Sequence, residues 1–316
     1  MMSSALGAPF RTPLPTAKLR QRQTAAVVGA AIILGVLLLF ILQVQVADFP
    51  ASLPSLTVAA APRSRWSVTS TLPRGAWCDA LMRDPRPADA ECKPRTPDNC
   101  PAGVAPRFFS QYGQDHWLYT QHFRHLARPG VFVDLATNHP IYISNTYFLE
   151  SCLGWSGLCV EPNSAYHERI VAWRSCELTP LCVAREAKSV EFIEAGGLSG
   201  IADTNKNVGG RGAWQAGVAT APRRNITCAP LSAMLHRRGI TEVDFMSLDI
   251  EGAEPEALQS IDWGAVTIKV IALEDEAADH GPRRFLEARG YRAIRYRPRT
   301  KELMMLHPSV VLGKPT

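Results

Sequence analysis

Two short apolar stretches that each end in an acid constrain the fold of this 316-residue chain most strongly. Residues 131–133 lead into Asp134, and residues 158–160 lead into Glu161. A turn and a helix over residues 145–152 are predicted between them. Parallel sheets bind their ligands at the carboxyl ends of the strands, where an acid after the second strand holds ribose hydroxyls in nucleotide-binding proteins. The segment therefore predicts the front half of a Rossmann-like unit.

A third block repeats this pattern, because the apolar strand at residues 243–248 ends in Asp249 and is followed by a glycine-containing turn. Helices and strands then alternate along most of the chain. We predict further helices at residues 109–126, 164–173, 231–238, 254–261 and 282–289, and further strands at 181–184, 190–193, 268–273, 291–296 and 303–306. Alternation with short links indicates a mostly parallel sheet that is covered on both faces.

Four blocks in this order resemble the FkbM family of S-adenosylmethionine-dependent methyltransferases. They are residues 110–115 (Ser-Gln-Tyr-Gly-Gln-Asp), the strand ending in Asp134, residues 153–163, and residues 247–252 (Ser-Leu-Asp-Ile-Glu-Gly). The resemblance covers roughly residues 108–306. It implies an α/β, Rossmann-like class I methyltransferase fold, with a seven-stranded, mostly parallel sheet and helices on both faces.

The resemblance also implies a cofactor site for S-adenosylmethionine. Asp134 would orient the amino-acid end of the cofactor or the neighbouring loop, and Glu161 would accept hydrogen bonds from the ribose hydroxyls. Asp249 would face the same crevice, while Ala136 and Asn138 would line the turn beside the cofactor.

Methyl transfer to oxygen requires a group that removes the hydroxyl proton. Asp249 and His139 are the candidate catalytic bases, although Asp249 is equally compatible with capping the helix that follows it. We assign no metal ligand. A divalent cation held by Asp249, Glu274 and Asp275 is kept as an alternative, because hard cations prefer oxygen ligands.

The turn after the first strand departs from the family pattern, which has Gly-Ala-Asn after the acid and then a final glycine. Here Ala136 and Pro140 stand at the two glycine positions, while Asn138 remains. The methyl group that Ala136 adds is tolerated if its φ angle is negative. We expect Pro140 to lie where the next helix starts, since proline suits a first helical turn.

The chain divides into four segments: a basic tail (1–23), an uncharged apolar segment (24–47), a Pro-rich stem (48–107) and the methyltransferase-like domain (108–316). Residues 24–47 are long enough to span a bilayer. The four bases of the first 47 residues all precede this segment, which places the N-terminus in the cytosol and predicts a single-pass type II protein of the Golgi or endoplasmic reticulum. A mitochondrial presequence is the alternative, although this segment is apolar on all sides.

The net charge of +5 is due mostly to this tail, since the remaining chain has 30 basic and 29 acidic residues. A nearly neutral domain argues against nucleic acid as a partner. The eight cysteines favour disulfides in a lumenal compartment. With three of them in or near the stem and five in the domain, complete pairing requires a stem-to-domain bridge, whereas Cys159 is alternatively a buried free thiol. Asn225 begins a glycosylation sequon.

Residues 195–227 form a long glycine-rich stretch, which is either a substrate lid or a surface excursion. For the whole chain, the primary hypothesis is an O-methyltransferase acting on a hydroxyl of a glycan, a lipid-linked acceptor or a small molecule. A non-catalytic lumenal binding or trafficking protein on a degenerate methyltransferase fold is the alternative. A glycosyltransferase fits the same topology, but the sequence has no convincing Asp-x-Asp metal motif.

Overall fold

The computed structural model of the chain describes residues 78–79, 82–83, 108–210, 212–213, 215–275, 280–297 and 300–313. The predicted cytosolic tail, membrane span and almost all of the stem lie outside these ranges. Within them, no helix is both long enough and apolar enough to cross a membrane. The membrane anchor therefore stays a prediction.

Strands and helices alternate through the described domain. The strands are β1 (Val131–Leu135), β2 (Ser156–Val160), β3 (Glu177–Thr179), β4 (Cys182–Val183), β5 (Lys188–Ile193), β6 (Gly200–Ile201), β7 (Arg223–Ala229), β8 (Glu242–Leu248), β9 (Thr267–Glu274), β10 (Arg292–Ile294) and β11 (Glu302–Leu306). The α-helices are α1 (Gln114–Gln121), α2 (Tyr147–Leu153), α3 (His167–Trp173), α4 (Leu231–His236), α5 (Glu254–Gln259) and α6 (Gly281–Glu287).

Seven of these strands form the central sheet, in the order β10-β11-β9-β8-β1-β2-β3. The pairs from β9 through β3 are parallel, and β11 runs antiparallel to both β9 and β10. The mostly parallel, seven-stranded sheet is thus confirmed, including the final hairpin. It is consistent with a methyltransferase fold.

Consecutive side chains of the central strands enter two separate apolar cores, one on each face of the sheet. Phe132 and Phe245 belong to the core that contains residues of α1, α2 and α3. Val133 and Met246 belong to the core that contains residues of α4, α5 and α6. Strands buried on both faces are typically apolar runs, which residues 131–133 of β1 and 270–273 of β9 supply, while β8 is buried from Val243 to Leu248 although it contains Asp244 and Ser247. Helices therefore cover both faces of the sheet, as predicted.

The third strand of the central sheet differs from the prediction. It is β3, which pairs with β2 at the edge, whereas residues 181–184 contribute only the two-residue β4 to a second sheet. That second sheet has the order β4-β7-β5-β6 and includes the predicted extra strand at residues 190–193. Residues 195–227 are also not one continuous loop, because β6 and most of β7 lie within them.

Every cysteine in the described ranges forms a disulfide: Cys78–Cys152, Cys159–Cys176 and Cys182–Cys228. The first one links the segment before residue 108 to α2, as the stem-to-domain prediction required. The free-thiol alternative for Cys159 is wrong, because that buried sulfur is bonded to Cys176 at the end of the β2–β3 connection.

Candidate active site

The loops after β1, β2, β8 and β9 meet at one edge of the central sheet, because the carboxyl ends of parallel strands lie together. All the non-glycine residues with positive φ in the described ranges lie in these loops: Ala136, Asn138, Ile143, Glu251 and His280. Such conformations cost about 1–3 kcal/mol each and cluster at functional sites. This edge is therefore the candidate active site.

Asp134, at the end of β1, is buried in a network of polar side chains. Its Oδ2 accepts a 2.5 Å hydrogen bond from Thr146 Oγ1 and lies 3.8 Å from Arg174 Nη1. Burial raises the pKa of Asp134, and the Arg174 guanidinium opposes that rise. The carboxylate therefore anchors the loop after β1, and a role in orienting the cofactor would act through that loop.

Arg174 contacts the same loop, and its side chain is completely buried. Its Nε donates to Glu150 Oε2 at 2.9 Å, and its Nη2 donates to Thr146 Oγ1 at 2.8 Å. Its Nη1 donates to the carbonyl oxygen of Pro140 at 3.2 Å. A buried arginine is stabilised only when its donors are satisfied, so these contacts fix the backbone of the loop firmly.

Ala136 adopts a φ of +56°, so the condition for an unstrained methyl group at this position is not met. The position retains the left-handed backbone that glycine would adopt without strain, and the alanine side chain is accommodated at a cost. Asn138 also has a φ of +56°, which asparagine tolerates well. The loop therefore has a left-handed backbone at the first of its two replaced glycine positions.

Pro140 does not begin a helix, because α2 starts only at Tyr147. The residues between them form turns, in which His139 Nδ1 accepts the backbone N–H groups of Ile141 and Tyr142 at 3.2 and 2.9 Å. This geometry gives the His139 ring a structural task in the turn. Its role as a catalytic base stays a prediction.

Glu161, which follows β2, is buried and bridges the loops after β1 and β2. Its Oε2 accepts the backbone N–H of Asn138 at 2.6 Å, and its Oε1 accepts that of Asn163 at 2.7 Å. Burial raises the pKa of Glu161 to about 7, while the two backbone hydrogen bonds oppose the rise. The carboxylate thus sets the distance between the loops on either side of the crevice.

Asn145 crosses from the loop after β1 to β8. Its Nδ2 donates to Ser247 Oγ at 2.9 Å, while its buried Oδ1 has no hydrogen-bond partner among the described residues. Unsatisfied buried acceptors are rare in folded proteins and each calls for an explanation. This oxygen is therefore a candidate ligand-binding atom between β1 and β8.

The block at residues 110–115 has a supporting role. Asp115 is fully buried and accepts the backbone N–H groups of Phe109 and Ser110 at 2.6 and 3.2 Å. Burial raises its pKa to about 6. Ser110 forms an isolated β-bridge with Ile143, so this block contacts and supports the loop after β1.

An acidic cluster lies at the ends of β8 and β9. One carboxylate oxygen from each of Asp249, Glu251 and Glu274 lies within 4.8 Å of the others. Lys206 Nζ lies 3.4 Å from Glu251 Oε2 and forms a hydrogen-bonded ion pair with Glu274. The predicted cation site thus differs in one member, since Glu251 joins Asp249 and Glu274 in place of Asp275.

The structure gives Asp249 no part in capping α5. Glu254 Oε1 instead holds the turn that precedes α5, because it accepts the backbone N–H groups of Ile250 and Gly252 at 3.0 and 3.2 Å. Asp249 Oδ1 is instead buried without a hydrogen-bond partner among the described residues. Burial, followed by repulsion from Glu274 and Glu251, raises the pKa of Asp249 well above its ordinary value.

The beginning of the glycine-rich stretch lies over the crevice. Asn163 Nδ2 donates to Ser199 Oγ at 3.1 Å, and a Cβ atom at Gly197 would come within 3.2 Å of Asn138 Nδ2. Residues 195–199 therefore occupy the position that a lid would take, and the lid function stays a prediction.

The family model described as the methyltransferase FkbM domain matches residues 134–293, slightly more than half of the chain. The chain belongs to the FkbM methyltransferase family. Comparison with curated proteins gives no significant match, and neither does comparison with solved structures. Family membership indicates methyl transfer in general, with S-adenosylmethionine or a similar methyl donor.

The polar groups of this FkbM domain suit such a donor. S-adenosylmethionine carries positive charge on its sulfonium and amino groups, and Asp134, Glu161 and Asp249 surround the crevice with carboxylates. Asn145 Oδ1 and Asp249 Oδ1 are buried acceptors that lack protein donors among the described residues, and a bound ligand would satisfy them. The residues present therefore fit the cofactor.

Three residues of this FkbM site were missed from the sequence: Arg174, Lys206 and Glu251. Arg174 follows a helix and Lys206 lies in the glycine-rich stretch, so neither shows a local signal. Glu251 was visible in the Asp-Ile-Glu-Gly block, but only the turn after β8, with its positive φ at Glu251, points it back towards Asp249.

Proposed function

We propose that this FkbM protein is an S-adenosylmethionine-dependent O-methyltransferase that modifies a hydroxyl of a glycan, a lipid-linked acceptor or a small molecule in the secretory pathway. The observation that carries the proposal is the placement of Glu161. This buried acid joins the loops after β1 and β2 through two short hydrogen bonds, although both family glycines of the first loop are missing.

The cofactor would lie between these loops and the end of β8. Bound S-adenosylmethionine supplies an electrophilic methyl group. Glu161 binds the ribose hydroxyls through its remaining lone pairs, and Asn145 Oδ1 offers an acceptor for the amino group. Asp134 and Arg174 keep the intervening loop in place.

Asp249 is the proposed base. Its raised pKa makes the ionised carboxylate a stronger base for the acceptor hydroxyl proton, and its Oδ1 has no hydrogen-bond partner among the described residues. Asp249 would take the proton of the acceptor hydroxyl as that oxygen bonds to the methyl carbon and the donor's carbon–sulfur bond breaks, which leaves the sulfur as a neutral thioether. We favour a metal-free reaction, because Lys206 already neutralises part of the cluster and a divalent cation would have to displace it.

The proposed location is the Golgi or endoplasmic reticulum lumen, with a single N-terminal span over residues 24–47. Two features of the described domain support it. The disulfides suit an oxidising compartment. Asn225 is exposed on β7, where an N-glycan would be tolerated.

Calorimetry on the full-length, detergent-solubilised chain tests this function. We expect saturable binding of S-adenosylmethionine and of its demethylated product. Glu161→Ala should weaken binding by about 1–3 kcal/mol, the range for hydrogen bonds to a charged group. Glu168→Ala, which removes an exposed acid of α3, is the matched control and should bind normally.

The alternative is a non-catalytic binding protein on the same fold. The strained Ala136, at a position where the family pattern has glycine, favours it. Absence of binding of either compound at millimolar concentration, by a chain whose circular dichroism shows it folded, would support this alternative and overturn methyl transfer.

A further inference from the structure

A cavity of about 420 Å³ opens beside the acidic cluster, between α5 and α6. This volume is within the range of about 300–1,000 Å³ for small-molecule sites. Its described walls are formed by Lys206, Gly252, Glu254, Pro255, Gln259, Glu274, Asp275, Gly281, Pro282 and Phe285. Lys206 and Glu274 belong to both the cavity and the cluster, so the two are continuous.

Among the residues that line the cavity, Asp275 has a buried carboxylate oxygen that lacks a hydrogen-bond donor within the described ranges. Its side chain is 1% exposed, and its Oδ1 has no hydrogen-bond partner in the part of the chain that the structure describes. His280 Nδ1 lies 3.0 Å from the other oxygen, Oδ2. A buried carboxylate oxygen without a donor is unfavourable, so the cavity favours a ligand that brings one.

Part of the cavity lining is apolar. Pro255, Pro282 and Phe285 present carbon surfaces, and the Arg289 guanidinium packs 3.6 Å from the centroid of the Phe285 ring. That packing holds the aromatic ring in one orientation. A ligand for this cavity therefore combines a carbon face with hydrogen-bond donors.

The charges of the cavity exclude anionic ligands. Glu254 already accepts backbone N–H groups of the turn before α5, and Lys206 is paired with Glu251 and Glu274. One lysine and three acids line the cavity, so its net charge is negative. A negative cavity repels phosphate and carboxylate groups. Hydroxyl groups meet the requirement, since they donate to carboxylates without introducing charge.

We propose that this cavity is the acceptor site and that it binds a monosaccharide-sized ring with at least two hydroxyls. One hydroxyl donates to Asp275, and another lies beside the cluster of Asp249 and Glu274, where its proton is removed. Asp275 is thus the residue that selects the acceptor. This inference rests on the proposed methyl transfer for the fate of the second hydroxyl, but not for the binding of the ring.

Saturation-transfer NMR with a panel of neutral methyl glycosides tests the proposal on the full-length chain. We expect at least one glycoside to bind, and Asp275→Asn to weaken it by about tenfold or more. Gln259→Trp should also block binding, because it fills the cavity from an exposed helix position. Asp203→Asn, which changes an exposed aspartate outside the described cavity walls, should leave binding intact.

Binding of S-adenosylmethionine is measured on the same samples and should be unchanged in all three variants. A glycoside signal that Asp275→Asn and Gln259→Trp leave unaltered would overturn the proposal, as would no glycoside binding at millimolar concentration. Glycoside binding through Asp275 without any cofactor binding would uphold the cavity assignment and overturn methyl transfer.

Discussion

Buried acids at neighbouring strand ends have different partners, and these partners decide what each acid does. Asp134 faces the guanidinium of Arg174, so its negative charge is compensated within the protein. Glu161 faces backbone N–H groups, which stabilise a carboxylate without supplying a full charge. The second arrangement leaves the acid sensitive to pH and to a ligand.

Glu161 should therefore make stability depend on pH. Its pKa of about 7 in the folded protein exceeds the ordinary value of 4.5, so the folded state holds the proton more tightly than the unfolded state. The unfolding free energy should fall as pH rises from about 4.5 to 7, by at most about 1.4 kcal/mol per pH unit from this group. Urea unfolding at several pH values should show a shallower fall in Glu161→Gln than in wild type, and equal slopes would refute the assignment.

Ala136→Gly should stabilise the protein by about 1 kcal/mol, since glycine adopts a φ of +56° without strain. The change in denaturant midpoint measures it. Ala195→Gly is the matched control, because Ala195 has a φ of −110° and gains nothing from glycine. An equal or negative effect at Ala136 would mean that the turn relaxes when its side chain is removed.

At the scale of elements, the turn after β6 makes a tight backbone contact with the turn after β8. Gly252 has a φ of +109°, and a Cβ atom there would lie 2.2 Å from the carbonyl oxygen of Thr204. The next contact along the chain is the 3.1 Å hydrogen bond from the backbone N–H of Lys206 to the carbonyl oxygen of Glu251. This close approach is what places the Lys206 ammonium among the acids.

Gly252→Ala should destabilise the protein by about 2 kcal/mol or more. The added methyl group would clash with the carbonyl oxygen of Thr204, and alanine is strained at a φ of +109°. Thermal unfolding measures the loss. Gly217→Ala, where a Cβ atom meets nothing within 4 Å, should change stability by less than about 0.5 kcal/mol. Similar melting temperatures for the two variants would contradict the tight contact.

The strands with continuous apolar runs were predicted well from sequence, because burial on both faces leaves a strong local signal. β3 was missed since Glu177-Leu178-Thr179 is short and polar, and only its pairing with β2 makes it a strand. The loop after β1 was also mispredicted. Its shape depends on Arg174, a residue far along the chain whose contacts with Pro140 and Thr146 no local pattern encodes.

For the whole molecule, the strongest constraint on cellular location is the combination of charge asymmetry, disulfides and an exposed sequon. Protease added to intact microsomes should leave the domain uncut if the N-terminus is cytosolic, and detergent should then permit its digestion. Cleavage of the domain in sealed vesicles would exclude the proposed topology.

N-glycosylation gives an independent measurement of the same topology. Asn225 is exposed on β7, so a glycosidase-sensitive shift on gels is expected. Asn225→Gln and Thr227→Ala should both abolish it, while Thr220→Ala, outside the sequon, should not. A shift that survives both sequon changes would assign the glycan to another position.

The Cys78–Cys152 disulfide has a consequence for release of the domain from the proposed membrane anchor. Its two cysteines are 74 residues apart in sequence. Proteolysis anywhere between them cuts the chain but leaves both pieces covalently joined, so the domain remains tethered to whatever precedes Cys78. A freely secreted form therefore arises only from a cut on the N-terminal side of Cys78, or from a cut followed by reduction of this bond.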